Sequence, residues 1–138
     1  MSGQYYEPTS LFELAKHWLC SCLSTHSAAC GQSSHQAPTR LLALHGTSLK
    51  LIESLNLKSS LAYATLSHCW GTLEFLRLTQ ETLNSFKISI PFEDLPKTFQ
   101  DAITITQQLG IGYLWIDSLC IIQDSPKDWK KEASLICE

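Results

Sequence analysis

Basic charge is scarce in this sequence. Its 138 residues carry ten Lys and Arg against 13 Asp and Glu, for a net charge of -3. Only Lys130 and Lys131 are adjacent, so no basic stripe follows a phosphate backbone, and nucleic acid is not an expected partner. Charged residues of both signs make up only 17% of the chain, while 44% is hydrophobic. That balance excludes a long disordered tail and leaves enough apolar material for a core. Long apolar runs are also missing. The longest, residues 113–122, is interrupted by Asp117 and is far shorter than the roughly 20 residues a membrane-crossing helix needs. The opening MSGQYYEPTS lacks a basic segment followed by an apolar one, so no secretory signal is visible. No basic amphipathic helix suggests a membrane surface. The expected location is therefore cytoplasmic, where the six cysteines are expected to be thiols.

What the chain does contain is periodicity. Ser10 and Glu13 fit a capping box, in which a hydroxyl and a carboxylate satisfy early helical N–H groups. Leu11, Leu14, Ala15, Trp18, Leu19 and Cys22 then recur at helical spacing, which predicts a helix over residues 11–24 with one buried face. Residues 25–39 have loop composition. Two short apolar segments, 40–44 and 48–53, flank His45-Gly46-Thr47 and predict a β-hairpin. Residues 61–69 read as a third strand, and Thr79 as the cap of a short helix over 80–87. Pro96 suits the first turn of a helix whose apolar face is Phe99, Ala102, Ile103, Thr106 and Leu109, with Gly110 at the C-terminal cap. Residues 111–122 read as a strand apolar on both faces, and a last helix begins at Ser125-Pro126.

Strand, helix and strand in that order imply two parallel strands joined by a crossover. The segments around His68 and Asp117 should then run side by side in the same direction, bridged by the helix that starts near Pro96. The fold class expected is α/β, a partly parallel sheet with flanking helices, preceded by an N-terminal helix and a β-hairpin. Residues 1–37 read as a helix-and-loop extension and residues 38–138 as the main domain.

Two polar clusters interrupt the apolar strands. Ser67-His68-Cys69-Trp70-Gly71 closes one strand, and Asp117-Ser118 with Cys120 leads to Asp124. Open α/β sheets bind ligands beyond the C-terminal ends of parallel strands, which is where the first cluster and Asp124 should lie. In one reading His68 is an acid or base, Cys69 a nucleophile and Asp117 the group that orients the imidazole. Against it, neighbours along a strand point to opposite faces, which separates His68 from Cys69. In the other reading Asp117 accepts hydrogen bonds from backbone or from His68 and holds the sheet. Cys22, His26 and Cys30 recur every four residues, with His17, Cys20 and His35 nearby, and are the candidates for a metal site. Structural zinc sites more often use C-x2-C pairs and a fourth ligand, so thiols without metal are the expectation. The four tryptophans, Trp18, Trp70, Trp115 and Trp129, read as core residues rather than a stacking platform.

The residue strings themselves resemble one family. Tyr63-Ala64-Thr65-Leu66-Ser67-His68-Cys69-Trp70-Gly71 resembles the first block of the fungal heterokaryon incompatibility (HET) domain. Leu95-Pro96-Lys97-Thr98-Phe99-Gln100-Asp101-Ala102-Ile103 resembles the second, and the stretch from Leu109-Gly110 through Tyr113-Leu114-Trp115-Ile116-Asp117-Ser118 to Gln123-Asp124 the third. Asp128-Trp129 and Glu132 look like the start of the fourth. Gly112 stands where the family often has a basic residue. The last helix stops before the further strand and tail the family usually carries, so the resemblance implies a domain incomplete at its C-terminal end.

The resemblance implies a self/non-self recognition module that triggers programmed cell death in fungi, acting through protein partners or self-association. It also implies a TIR-like, flavodoxin-like architecture. Because some TIR domains cleave NAD, it brings a second expectation of an NAD or nucleotide hydrolase. Glu132 is then the candidate carboxylate, on chemistry alone.

Overall fold

The computed structural model describes residues 10–26, 36–57, 61–72 and 74–136. The chain divides into two units, residues 1–34 and 35–138. In the first, helix α1 spans Leu11–Thr25. Ser10 caps it, its Oγ accepting from the Glu13 N–H at 3.2 Å, which is half of the expected box. The expected buried face is not there: none of the residues of α1 is buried, and Trp18 is 62% exposed.

The second unit is a mixed α/β layer. Strands β1 (Arg40–Ala43), β2 (Lys50–Glu53), β3 (Ala64–Leu66) and β4 (Tyr113–Ile116) form one sheet in the order β2-β1-β4-β3. β1 and β2 make the predicted hairpin, antiparallel with Leu42 opposite Leu51. Gly46 turns it with φ +106°, a conformation L side chains rarely adopt. β4 is central. It pairs antiparallel with β1 and parallel with β3, placing Ala64 beside Leu114 and Leu66 beside Ile116.

Helix α2 (Leu83–Ile88) and helix α3 (Lys97–Gln108) lie between the two parallel strands in the chain. α2 starts three residues later than its sequence suggests. Thr79 and Thr82 bond reciprocally, each hydroxyl taking the other's N–H at 3.2 and 2.9 Å, and this turn occupies the intervening residues. α3 begins just after Pro96, whose carbonyl accepts from Phe99 and Gln100. Gly110 follows its end with φ +78°, the left-handed cap that lets the chain turn back toward the sheet. Phe99, Ile103 and Thr106 are buried on the predicted face. Thr106 returns its hydroxyl to the Ala102 carbonyl at 2.7 Å, so no donor is stranded.

Two strands are shorter than their apolar runs. Residues 61–69 yield only Ala64–Leu66, because among the described residues this strand pairs with β4 alone. Residues 111–122 yield β4 and then a single helical turn, α4 (Asp117–Cys120). The Asp117 carboxylate accepts from its neighbour Ser118 N at 2.7 Å, and its carbonyl accepts from Ile121 N at 2.9 Å. Burial of Ser118, Leu119 and Cys120 hides this turn from periodicity, since a short fully buried segment looks alike as strand or helix. Helix α5 (Pro126–Ile136) closes the unit, with Ser125 Oγ accepting from Asp128 N at 3.3 Å. The core runs from the hairpin through Leu41, Leu42 and Leu51 to Leu114, Ile116 and Leu119, and is closed by Phe99 and Ile103 of α3.

Candidate functional site

The ends of the two parallel strands set the site. Because β4 stops at Ile116, Asp117 lies at the C-terminal end of its strand and not further down, as its sequence position suggests. Ser67, His68 and Trp70 follow the end of β3 directly. The parallel register therefore brings the first and third sequence blocks to one edge.

Asp117 is the hub. Its Oδ2 accepts from Trp70 Nε1 at 2.9 Å and its Oδ1 from Ser118 N. His68 Nδ1 stands 3.8 Å from Oδ1, close enough for a charge to be felt and too far for a hydrogen bond. The His68 side chain is about nine-tenths buried, and neither of its ring nitrogens has a hydrogen-bond partner among the described residues. Aromatic rings surround it: Phe99 edge-on at 4.7 Å, Phe75 at 6.4 Å and Trp70 stacked at 6.3 Å. Trp129 of α5 lies 6.5 Å from Trp70, adding the fourth block. Gln123 clamps the turn beneath, its Nε2 donating to the Asp117 and Ile121 carbonyls at 3.1 and 2.8 Å. In the sequence Gln123 stands out only as part of the third block and Phe99 only as an apolar helix residue within the second, while Phe75 does not stand out at all.

Cys69 points away. It is exposed while its neighbour His68 is covered, so the alternation of an extended chain keeps thiol and imidazole apart. Gly71 takes φ +64° just beyond. Trp70, Gly71, Thr72, Glu74, Phe75 and Arg77 line a recess of about 330 Å³. His68 and Asp117 do not line it. Ser118 is buried, its hydroxyl without a hydrogen-bond partner among the described residues, and Cys120 is fully buried. Burial pushes the Cys120 thiol up to about 12, which keeps it protonated and unreactive. Asp124 is exposed, and its Oδ1 accepts from Gln80 N at 3.0 Å to pin the loop before α2.

A second polar group joins α5 to β1. Asp128 Oδ2 pairs with Arg40 and accepts from Ile122 N at 2.8 Å. Arg40 Nε donates to the Cys120 carbonyl at 2.8 Å. One turn on, Glu132 is fully buried and its Oε2 accepts from Thr39 N at 3.1 Å, with Oε1 unpartnered among the described residues. In this structure the Glu132 carboxylate has no exposed surface.

Of the metal candidates, Cys22 lies within α1 and His26 at its C-terminal cap. Cys30 and His35 fall outside the described residues. Among the described residues no three ligand-type side chains gather as a cation site. The tryptophans divide. Trp115 is buried, as expected of a core residue, and Trp70 serves the Asp117 hub. Trp18 and Trp129 are exposed, against expectation.

No helix among the described residues is long and apolar enough to cross a membrane. No curated protein and no solved structure matches the chain. The model of one family, heterokaryon incompatibility protein (HET), matches residues 63–138, which is more than half of the chain and holds every residue of the Asp117 hub. The chain belongs to the heterokaryon incompatibility (HET) family.

Proposed function

We propose that this chain is a cytoplasmic self/non-self signalling module of fungal heterokaryon incompatibility that triggers programmed cell death through protein partners or self-association. One observation carries the reading. The sequence blocks that fit the family meet at one sheet end, where Asp117 gathers Trp70, Ser118 and the covered ring of His68. A hub of this kind fixes the shape of a surface. Its carboxylate is occupied by two donors, and its imidazole is sealed by aromatic rings. Networks of paired polar groups in low dielectric make a conformation specific. The parallel β3–β4 pair, with α2 and α3 between them in the chain, is what supports the TIR-like comparison.

The test is induced expression in a filamentous fungus, scored by colony viability. The wild-type coding sequence is expected to kill, and Asp117→Asn, which removes the charge from the hub, is expected not to. Normal killing by Asp117→Asn at equal soluble level would sink the proposal. The rival reading, hydrolysis of NAD or another nucleotide, is separated by incubating folded protein with NAD and measuring nicotinamide. The burial of Glu132 leads us to expect no turnover.

A further inference from the structure

The loop after β3 is pinned at both ends to one short segment. At its start, Trp70 Nε1 donates to Asp117 Oδ2 at 2.9 Å. At its far end, fully buried Leu78 donates its N–H to the Ser118 carbonyl at 2.8 Å, and its own carbonyl accepts from Gln123 N at 2.9 Å. Gln80 N then reaches Asp124 Oδ1 at 3.0 Å. The chain between these anchors is an arch whose feet stand on residues 117–124. The recess of about 330 Å³ is the hollow of this arch, since its lining residues all lie between Trp70 and Arg77. That volume is in the range of small-molecule sites. The lining side chains differ in kind. Trp70 and Phe75 make an aromatic corner, with ring centroids 5.7 Å apart and planes tilted by 60°. Glu74 brings a carboxylate and Arg77 a guanidinium, both exposed. Neither enters an ion pair with another described residue.

We infer that this recess binds a small zwitterion, a methylated ammonium and a carboxylate joined by a short aliphatic link. The lining selects the class. Two rings in tilted contact leave no parallel slot for a flat heterocycle. They offer a corner instead, and the electron-rich faces of indole and phenyl attract an organic cation. Glu74, the neighbour of Phe75, supplies the opposite charge. Arg77 supplies the anion site, because a planar guanidinium meets a carboxylate through two parallel hydrogen bonds. One carboxylate and one guanidinium line the recess. A ligand of net charge zero with one group of each sign satisfies both, whereas a simple cation or anion meets one and is repelled by the other. Asp117 holds the indole in place before the ligand arrives, so little ordering is left to be done on binding.

The test is titration calorimetry on the full chain with 4-(trimethylammonio)butanoate as the probe. The wild type is expected to show one saturable site. Choline carries the ammonium alone and butyrate the carboxylate alone. Each is expected to bind about tenfold more weakly than the probe, since each forfeits one charge-assisted contact. Glu74→Gln and Arg77→Gln are each expected to weaken the probe by about the same factor. Both side chains are exposed and away from the core, so the circular dichroism spectra are expected to stay unchanged. The two variants also assign the ends of the ligand. Glu74→Gln is expected to narrow the gap between probe and butyrate, and Arg77→Gln the gap between probe and choline. No saturable binding by the wild type overturns the inference. So does binding that both variants leave unchanged, which puts the probe elsewhere on the protein. Binding by purified protein is independent of the killing assay, so either of these results leaves the proposed function standing.

Discussion

Asp117 shows how much one side chain settles. Its two oxygens take an indole N–H and a backbone N–H, so the loop after β3 and the turn after β4 are fixed to each other through a single carboxylate. Trp70→Phe keeps the ring and removes the donor. Leaving a charged acceptor short of one partner is expected to cost about 1–3 kcal/mol, read as a lower urea midpoint with an unchanged m-value. No change in midpoint would show that water replaces the indole at no cost. Cys120 makes the opposite case, a reactive group silenced by its place. Its thiol ionises at about 12 when folded against an ordinary 9.0. The sign follows directly. Above pH 9 the unfolded chain releases this proton and the folded one does not, so the stability that burial protects at neutral pH is lost as pH climbs toward 12. At pH 8, iodoacetamide is expected to label exposed Cys69 and Cys20 in the native protein and Cys120 only after denaturation. Equal labelling of Cys120 in the native state would contradict its burial.

At the scale of elements, the clasp between α5 and β1 does for the C-terminal helix what the Asp117 hub does for the loops. Arg40 and Asp128 are both largely buried, and Asp128 also holds the Ile122 N–H. Removing one member of a buried ion pair leaves its partner desolvated and alone. Asp128→Ala is therefore expected to destabilise the fold by about 3–5 kcal/mol in denaturant titration. The pair Glu53–Lys87 is a useful contrast. Lys87 holds the Glu53 carboxyl below its ordinary range by hydrogen bond and charge, yet both side chains are well exposed. Water screens such pairs, so Glu53→Gln is expected to change stability by no more than about 1 kcal/mol. A loss from Glu53→Gln as large as that from Asp128→Ala would mean that burial does not govern these pairs.

The whole second unit is held together by contacts between residues far apart in the chain. Leu42 pairs with Leu114 and Ala64 with Leu114, so neither ladder around the central strand can form before most of the chain is in place. Closing such loops costs entropy before it returns any contact energy. Refolding is expected to take milliseconds to seconds in stopped-flow fluorescence. Complete recovery within microseconds would argue that local structure, not the sheet, carries the stability.

Much of this was legible beforehand, for reasons that are local. Capping chemistry at Ser10 and Ser125, the cap at Gly110 and the spacing of Phe99, Ile103 and Thr106 specify helices because a helix satisfies itself within a few residues. The hairpin around Gly46 is specified by its turn for the same reason. The motif blocks pointed to His68 and Asp117, and strand–helix–strand order pointed to their parallel approach. What the residues alone could not decide was where β4 gives way to α4, which apolar faces are covered, and which groups meet across the sheet. Trp18 and Trp129 look as apolar as Trp115, yet only Trp115 is buried. Gln123 and the aromatic seal on His68 gained their roles only once α3, α4 and the loop after β3 converged. Burial and hydrogen-bond partnership belong to pairs of distant residues, so only the tertiary structure assigns them.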